Sequence, residues 1–432
     1  MPRTDARAPG LFRVYCRATA MLAPLAYRSV ARKLRAHDVP EARIAERMGH
    51  ATEPEPGGPL IWFHAASVGE SLSVLTLIAR MGDRLPQAQF LITSGTATSA
   101  QLIARRMPPR TRHQFAPLDA PGPVGRFLSH WRPRAAVFVE SELWPLMLAR
   151  TRDSGARLAL VNARLSAKSV DGWRRFPDTA RFVLGCFSLL LTQNDTARRD
   201  LLAMGADPDR VHMGGNLKST SDPLPVDEET LAAMQTALSD RPLWIAASTH
   251  PGEEEQVLAA HARVLERHPD ACLILAPRHP ERSAEVAALI ERARMTQARR
   301  SVGDTPDGAS QVYLADTLGE LGTWYALAPI VFLGGSLREI GGHNPFEPAS
   351  AGAAILTGPH VTNFAETFAP LIATGGAVEV ADPDDLAAAV LRWLGNPAPL
   401  ATARTAARDF ATKRQEALSD IVDRLCTALD LG

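Results

Sequence analysis

Short apolar runs alternate with longer amphipathic segments along most of this chain, and this alternation is what most constrains the fold. Each apolar run has the length of a buried strand, and the segments between them have the spacing of helices. Such alternation is typical of βαβ units, in which helices cover both faces of a parallel sheet. The runs are LIWFHA (60–65), QFLITS (89–94), AAVFVE (135–140), RLALVNA (157–163), SLLLTQN (188–194), LWIAAST (243–249), ACLILAP (271–277), QVYLAD (311–316), IVFLGGS (330–336), AAILTG (353–358) and AVEVAD (377–382).

The chain has 432 residues, too many for one ordinary core, and the alternation is interrupted once. The interruption, GNLKSTSDPLPVDEET (215–230), is rich in Pro, Ser and acids. We therefore predict an α/β protein with two doubly wound, Rossmann-like domains, 51–222 and 223–432, the second closed by a long terminal helix. Residues 1–50 form a separate N-terminal segment. Two such domains place a cleft between the carboxyl ends of their sheets.

Composition excludes several classes of function. The 47 basic and 47 acidic residues give a net charge of +0, which argues against a nucleic-acid binder. The four cysteines are far apart and fit reduced thiols better than disulfides or a zinc site. No GxxxxGK[ST], GxGxxG or HExxH motif occurs. The two DPD sequences, at 207–209 and 382–384, resemble helix caps more than metal ligands, so we expect neither a metal nor another cofactor.

The first 35 residues carry eight basic side chains and one acidic side chain. Their uncharged stretch, ATAMLAPLAY (18–27), is too short to span a bilayer, which needs about 20 residues. A basic amphipathic helix, kinked at Pro24, is predicted to lie on an anionic membrane surface. A docking helix with a solvated basic face is the alternative. The predicted apolar face contains Leu11, Tyr15, Ala18, Leu22 and Leu25.

The segment IWFHAASVGE (61–70) runs from a predicted strand into a predicted helix. Ser67 and Glu70 have the S-x-x-E spacing of a capping box, in which the glutamate serves only the helix start. The small residues before Glu70 would also let a substrate approach closely, and a helix N-terminus favours an ionised carboxylate that can accept a proton. Spacing alone leaves the cap and the general base about equal, and the two roles are compatible.

The segment FVESELWP (138–145) places two more acids after a buried strand. Both acids, Glu140 and Glu142, lie at the end of the predicted strand or just beyond it, where a carboxylate can face the cleft. Glu140 directly follows the apolar run and is the better candidate. Ser141 or Glu142 could instead start the next helix.

Further candidates lie at the domain boundary and in the second half. Lys218 is a cation at the predicted hinge that could hold an anionic group, although most such lysines are merely solvated. In GGHNPFEP (341–348), Asn344 to Glu347 reads as a helix start with Pro345 at its first position. The same amides could bind phosphate while Glu347 holds a ribose. Arg278 is a natural phosphate partner.

Taken together, these segments resemble the 3-deoxy-D-manno-octulosonic acid (Kdo) transferases of lipid A assembly. The resemblance covers essentially the whole chain, with its motifs in the family's order. The motifs are HAASVGE (64–70), ESELWP (140–145), NARLSAKS (162–169), GNLK (215–218), PRHPER (277–282), LGEL (318–321) and GGHNPFEP (341–348) with GPHVTNF (358–364).

The resemblance implies a GT-B glycosyltransferase that uses CMP-Kdo as donor and a lipid A precursor as acceptor. It implies that the protein is peripheral or monotopic at the cytoplasmic face of the inner membrane. By this resemblance Glu70 is the general base, and Glu140 and Lys218 stabilise the transition state. The implied nucleotide site contains Pro277, Arg278, Leu318, Gly319, Glu320, Asn344, Pro345, Phe346 and Glu347.

One departure concerns the N-terminus, which is often more hydrophobic in the family. Here Arg13 and Arg17 interrupt it, so we expect surface attachment rather than a membrane span. Two alternatives are another GT-B-shaped sugar-nucleotide enzyme, such as an epimerase, and a non-catalytic binding protein. The basic helix and GNLK argue against the first, and the retention of Glu70, Glu140 and Lys218 argues against the second.

Overall fold

Each half of the chain folds around its own seven-stranded parallel sheet in the computed structural model, which describes residues 8–215, 217, 224–239 and 241–432. The first sheet has the order β3-β2-β1-β4-β5-β6-β7. Its strands are β1 (Leu60–His64), β2 (Gln89–Ser94), β3 (Thr111–Phe115), β4 (Ala135–Val139), β5 (Arg157–Ala163), β6 (Leu189–Thr192) and β7 (Val211–Met213).

The second sheet repeats this plan with one change at its edge, in the order β10-β11-β9-β8-β12-β13-β14. Its strands are β8 (Leu243–Thr249), β9 (Cys272–Pro277), β10 (Gln297–Arg299), β11 (Val312–Leu314), β12 (Ile330–Leu333), β13 (Ala354–Thr357) and β14 (Ala377–Glu379).

Helices follow most strands, as the alternation predicts. The first half contains α1 (Gly10–Arg35), α2 (Glu41–Ile44), α3 (Val68–Arg84), α4 (Ala97–Arg105), α5 (Pro121–Trp131), α6 (Pro145–Asp153), α7 (Ala167–Arg174), α8 (Pro177–Leu184) and α9 (Asp195–Ala203). The second contains α10 (Glu228–Ala237), α11 (Glu254–Arg267), α12 (Ser283–Arg292), α13 (Leu321–Leu327), α14 (Phe346–Ser350), α15 (Ala365–Ala373), α16 (Pro383–Gly395) and α17 (Pro397–Leu429).

Both faces of each sheet are covered, which explains why the strands are apolar along their whole length. On β1, Trp62 packs on one face with Phe127 of α5, and Phe63 packs on the other face with Ile78 of α3. Neighbouring strands are in register, so Phe63 lies beside Val137 of β4. Because buried polar groups are costly, polar side chains collect beyond the strand ends.

The connection direction reverses between β1 and β4 in the first sheet and between β8 and β12 in the second. At such a switch point the loops diverge, and ligands of open α/β sheets bind beyond the carboxyl ends there. The switch points therefore identify the loops after residues 64 and 139 and those after residues 249 and 333 as the places to look for a site.

The chain divides into two units, 1–220 with 416–432 and 221–415. The predicted second domain, 223–432, differs from this at its end. The last part of α17 packs in a core cluster with α3 and the first sheet because its apolar side chains recur on one helical face. These side chains are Leu418, Ile421, Val422, Leu425 and Leu429.

Strands β3, β7 and β10 were not predicted, and each lies at a sheet edge. Edge strands have fewer buried neighbours and need fewer apolar residues. Strand β3 reads TRHQF, so a search for apolar runs passes over it.

Helix α1 continues through Pro24 and packs against the first unit with one side. Phe12, Ala31 and Leu34 are buried. Tyr15, which we placed on the membrane face, is half-buried instead and donates a hydrogen bond to Asp119 (2.7 Å). The exposed side of α1 is nevertheless apolar, with Leu11, Val14, Met21, Leu22 and Leu25 between 42% and 80% exposed.

Among the described helices, none is both long enough and apolar enough to cross a membrane.

The predicted N-terminal segment, 1–50, does not form a separate body. Residues 41–48 pack against the end of β3, where the fully buried carboxylate of Glu46 accepts the backbone N–H of Phe115 (2.7 Å). Because this contact joins the segment to the sheet, its described residues, from Ala8 onward, belong to the first unit.

Candidate active site

Glu70 lies in the first turn of α3, beyond the carboxyl end of β1, and only 9% of its surface is exposed. Ser67 caps the helix by accepting the Glu70 N–H (3.3 Å) and donates its hydroxyl to Glu70 Oε1 (2.9 Å). The second oxygen, Oε2, accepts the N–H of Ala66 (2.8 Å). The helix start predicted from S-x-x-E is therefore present, although the backbone N–H that the carboxylate accepts is that of Ala66 rather than that of the N-cap residue.

The surroundings of Glu70 raise the pKa of its carboxyl group. Burial raises the pKa of Glu70, and the negative charge of Glu142 raises it further, with a smaller contribution from Glu140. The hydrogen bonds from Ser67 and Ala66 oppose this shift without cancelling it. A carboxylate with a raised pKa is a stronger base, which suits a group that must take a proton from a hydroxyl.

Glu142 is more enclosed than its neighbour Glu140 and is held by two donors. Its Oε2 lies 3.1 Å from His64 Nε2 and accepts the indole N–H of Trp144 (2.5 Å). Burial alone would raise the pKa of Glu142, but His64 and Trp144 lower it below its usual value. It does not start a helix, because α6 begins three residues later, at Pro145. The interpretation of Glu142 as a cap is therefore wrong.

Glu140 directly follows β4 and has a left-handed backbone, with φ of 54°. Its Oε1 accepts the side-chain N–H of Asn162 (3.2 Å), and Asn162 Oδ1 accepts the N–H of Leu217 (3.2 Å). Lys218 follows Leu217 but lies outside the described residues. Asn162 thus connects the predicted site residue Glu140 to the segment that contains the predicted lysine.

Arg47 contributes a cation that sequence reasoning missed. Its side chain lines a cavity of about 120 Å³ at the carboxyl ends of the first strands, together with His64, Glu142 and Trp144. Its guanidinium donates to the carbonyl of Ala116, while its Nε is buried without a partner among the described residues. Burial lowers the pKa of Arg47 to about 10. No periodic pattern in the sequence distinguishes this arginine from those of α1.

In the second unit the switch point is organised by Glu253, which is fully buried. Its Oε2 accepts the N–H groups of His250 (3.0 Å) and Gly335 (2.7 Å). Its Oε1 accepts those of Ser336 (3.0 Å) and Leu337 (2.9 Å). This carboxylate fastens the loop after β12 to the loop after β8. The only sequence signal was its place in THPGEEE (249–255), where three acids in a row look alike.

The predicted phosphate ligands lie at the carboxyl ends of the same sheet. Pro277 ends β9 and is buried, while Arg278, the next residue, is exposed. Beside Arg278 lie two histidines that we had not singled out: His250 and His343 are joined Nε2 to Nε2 at 2.9 Å. The charge of Arg278 contributes to lowering the pKa of both rings, after burial.

The predicted LGEL motif forms the loop between β11 and α13. Leu318 is 79% exposed, and Gly319 has a φ of 88°. The carboxylate of Glu320 is already engaged by Arg300 (2.6 Å) and by the hydroxyl of Thr317. Burial would raise the pKa of Glu320, but Arg300 and Thr317 lower it. The parts of this motif that can still meet a nucleotide are therefore the exposed Leu318 and the backbone around Gly319.

Asn344 to Glu347 form the predicted turn, but the helix starts one residue later than expected. Helix α14 begins at Phe346, and Pro345 precedes it. Asn344 Oδ1 still accepts the N–H of Phe346 (3.1 Å), so the asparagine serves the helix start as predicted. Its Nδ2 lies 3.4 Å from Glu347 Oε1, which orients the carboxylate proposed for the ribose.

Comparisons with known proteins agree with this organisation. Residues 42–221 match the family model of 3-deoxy-D-manno-octulosonic-acid transferase (kdotransferase). A probable mitochondrial 3-deoxy-D-manno-octulosonic acid transferase of Arabidopsis thaliana is 34% identical over 378 residues, or 85% of this chain and 84% of that protein. The 3-deoxy-D-manno-octulosonic acid transferase of Bordetella pertussis is 34% identical over 433 residues, or 94% of this chain and 98% of that protein. The chain belongs to the Kdo transferase family.

Membership in the Kdo transferase family makes the protein a glycosyltransferase and confirms the resemblance seen in the motifs. A glycosyltransferase from Rickettsia africae has a similar fold, with a TM-score of 0.50 and 10% identity over 87% of this chain and 99% of the other. At that identity the likeness concerns the fold alone. The alternative of an epimerase is disfavoured because the curated relatives above are transferases.

We predict that Glu253→Gln destabilises the second unit by about 2–4 kcal/mol. The amide that replaces one oxygen can only donate, so it would face backbone N–H groups that also donate. Urea unfolding measures the loss. Glu255→Gln is the matched control, since Glu255 lies two residues further along the same segment and is exposed. Equal stability of the two variants would contradict the role of Glu253.

Proposed function

We propose that the protein transfers Kdo from CMP-Kdo to a lipid A precursor (lipid IVA), with inversion and with Glu70 as general base, in lipopolysaccharide biosynthesis. The observation that carries the proposal is the placement of Glu70. It is a buried carboxylate with a raised pKa, beyond the switch-point strands of a chain in the Kdo transferase family.

An acceptor sugar hydroxyl is a poor nucleophile until a base removes its proton, and such help contributes roughly 10²–10⁴-fold to the rate. Each carboxylate oxygen can accept more than one hydrogen bond. The bonds to Ser67 and Ala66 therefore fix the direction of the Glu70 carboxylate and leave capacity for the substrate proton. The cap and the base thus become two functions of one side chain.

The donor is assigned to the second unit. A CMP-sugar leaves with a single phosphate, so fixed amides and a few cations can stabilise its charge without a divalent metal. Arg278 is exposed at the end of β9 for this purpose. The amides near Asn344 and the carboxylate of Glu347 are placed beyond the strand ends of the same sheet for the nucleoside. Glu140 and Lys218 are assigned to transition-state stabilisation by the family motifs.

We propose that α1 attaches the protein to the cytoplasmic face of the inner membrane as a peripheral helix. Its outward side combines the apolar Met21, Leu22 and Leu25 with exposed arginines such as Arg17 and Arg28. Apolar burial at the lipid boundary and attraction to anionic head groups then act together.

Glu70→Gln is expected to lower turnover by at least about 10²-fold because glutamine cannot accept the proton, while affinity for CMP-Kdo stays near normal. Turnover is measured with CMP-Kdo and a tetra-acylated, bisphosphorylated lipid A precursor, and products are identified by mass. Glu55→Gln is the matched control: it makes the same change at an exposed glutamate of the first unit, so it is expected to retain wild-type turnover. A Gln variant as active as wild type would eliminate Glu70 as the base.

The pH profile is expected to depend on Glu142. Activity falls as pH decreases through the pKa of Glu70, because the base becomes protonated. Removing the Glu142 charge lowers that pKa, so Glu142→Gln is expected to move the acid limb of kcat/KM to lower pH. Glu140→Gln is expected to move the limb less, since its charge contributes less. If the acid limb of kcat/KM stays at the same pH in the Glu142 variant, the charge of Glu142 does not raise the pKa of Glu70.

Replacing Met21, Leu22 and Leu25 together by Gln is expected to weaken binding to anionic vesicles roughly tenfold or more, because each exposed apolar side chain contributes when buried in lipid. Vesicle co-sedimentation measures this. Deleting α1 is unsuitable because Phe12 and Leu34 belong to the core. Val302→Gln, a 64% exposed residue of the second unit, is the control. Undiminished binding by the triple variant would place the attachment elsewhere.

A further inference from the structure

Two imidazole rings meet beyond the switch point of the second sheet. His250 follows β8, and His343 lies in the loop before α14. Their Nε2 atoms are 2.9 Å apart, and the rings are nearly parallel, with 7° between planes and 5.2 Å between centroids. Since a bond between two such nitrogens needs one N–H and one lone pair, one ring carries its proton on Nε2 and the other presents Nε2 bare.

The surrounding backbone is built to hold the two rings together. Glu253 fixes His250 through its backbone N–H. Gly335, with a φ of 67°, lies directly against His343: a Cβ at this position would be 3.0 Å from the ring carbon Cδ2. Gly341 and Gly342, both at positive φ, lead into His343. A larger side chain at residue 335 would displace the ring, so the contact between the histidines depends on this glycine.

The charges facing the pair are mostly positive. Arg278 and His279 follow β9, and the ring of His279 lies 5.6 Å from that of His250. Arg282 is also close, although it is paired with Glu254 and Glu285. Arg338 packs against Gly252, next to the loop. Two acids accompany these groups: Glu253, whose oxygens accept four backbone N–H groups, and Glu281, whose Oε1 lies 3.2 Å from His279 Nδ1.

In this environment both rings stay neutral at pH 7. Burial lowers the pKa of His343 to about 4, with His250 and Arg278 contributing. Burial also lowers the pKa of His250, with His279, Arg278 and Arg282 contributing, and the opposing effect of Glu253 does not cancel this shift. A partly exposed cluster of cations and neutral imidazoles has unused capacity for negative charge, because an anion would make protonation of a ring favourable.

We propose that the His250–His343 pair and Arg278 form a phosphate subsite that takes up a proton when a nucleotide phosphate binds. The proposal rests on the assignment of the donor to this unit and adds to it the residues and the proton that hold the phosphate. The pair acts as a single unit with one proton to gain.

The hydrogen bond between the rings survives this protonation. In the neutral pair, the ring that donates from Nε2 has a bare Nδ1. An added proton goes to that Nδ1, and the Nε2–Nε2 bond remains. The charged pair then offers a charge-assisted N–H to phosphate oxygen. When the sugar–oxygen bond breaks, its electron pair moves to the phosphate, and the imidazolium is already present to balance the new charge.

The test is isothermal titration of the full-length protein with CMP at pH 7.0, in buffers of different ionisation enthalpy. CMP is already mostly dianionic, since its second phosphate pKa is about 6, and a cationic site can only lower that value. Net proton uptake must therefore occur on the protein. We expect uptake for the wild type with CMP and none with cytidine, which lacks the phosphate.

The variants localise the proton. His250→Gln with His343→Gln is expected to abolish the uptake and weaken CMP binding roughly tenfold or more. His279→Gln removes a ring of the same cluster that is outside the pair. This variant is expected to retain the proton uptake. CMP binding by the wild type without proton uptake would overturn the subsite while leaving the donor assignment intact. Absence of CMP binding would overturn both.

Discussion

Both units depend on one constraint: a parallel sheet covered on both faces leaves no place for polar groups except beyond its strand ends. The central strands are mostly apolar and nearly fully buried, whereas the edge strand β3 is polar. Charged and hydrogen-bonding side chains therefore collect in the loops, and the strand order decides which loops diverge enough to receive a ligand. The positions of Glu70 and Glu140 in one unit, and of Arg278 and His343 in the other, follow from this constraint.

The two units differ in the charge they collect. The first gathers carboxylates around β1 and β4, and Glu142 keeps its charge because His64 and Trp144 support it. The burial of Glu70 and the negative charge of Glu142 together raise the pKa of Glu70 and so make it more basic. The second gathers Arg278 and the histidine pair, and its central carboxylate, Glu253, is engaged by the backbone. This division suits a reaction in which one side receives a proton and the other receives a phosphate.

Sequence reasoning predicted the fold well where burial is strong. Each predicted apolar run became a strand because central strands must be apolar throughout, whereas polar edge strands such as β3 left no such pattern. Glu70 was found from a local spacing rule. Sequence reasoning did not find Glu253, Arg47 or His250, because the contacts that make them important are with residues distant in the chain. The end of α17 was assigned to the wrong unit because an amphipathic pattern shows that a helix has a partner without showing which one.

The path of α17 has a consequence for how the protein is made. The core around Ile78 and Val74 includes Leu425 and Leu429, which are synthesised after the whole of the second unit. Most of the first unit is thus synthesised early, but it lacks part of its interior until residues 416–432 have followed the second unit. Its exposed apolar surface must wait while the second unit is produced, which is the situation in which nascent chains rely on chaperones. The first unit is therefore the first to be synthesised in large part and the last to be completed.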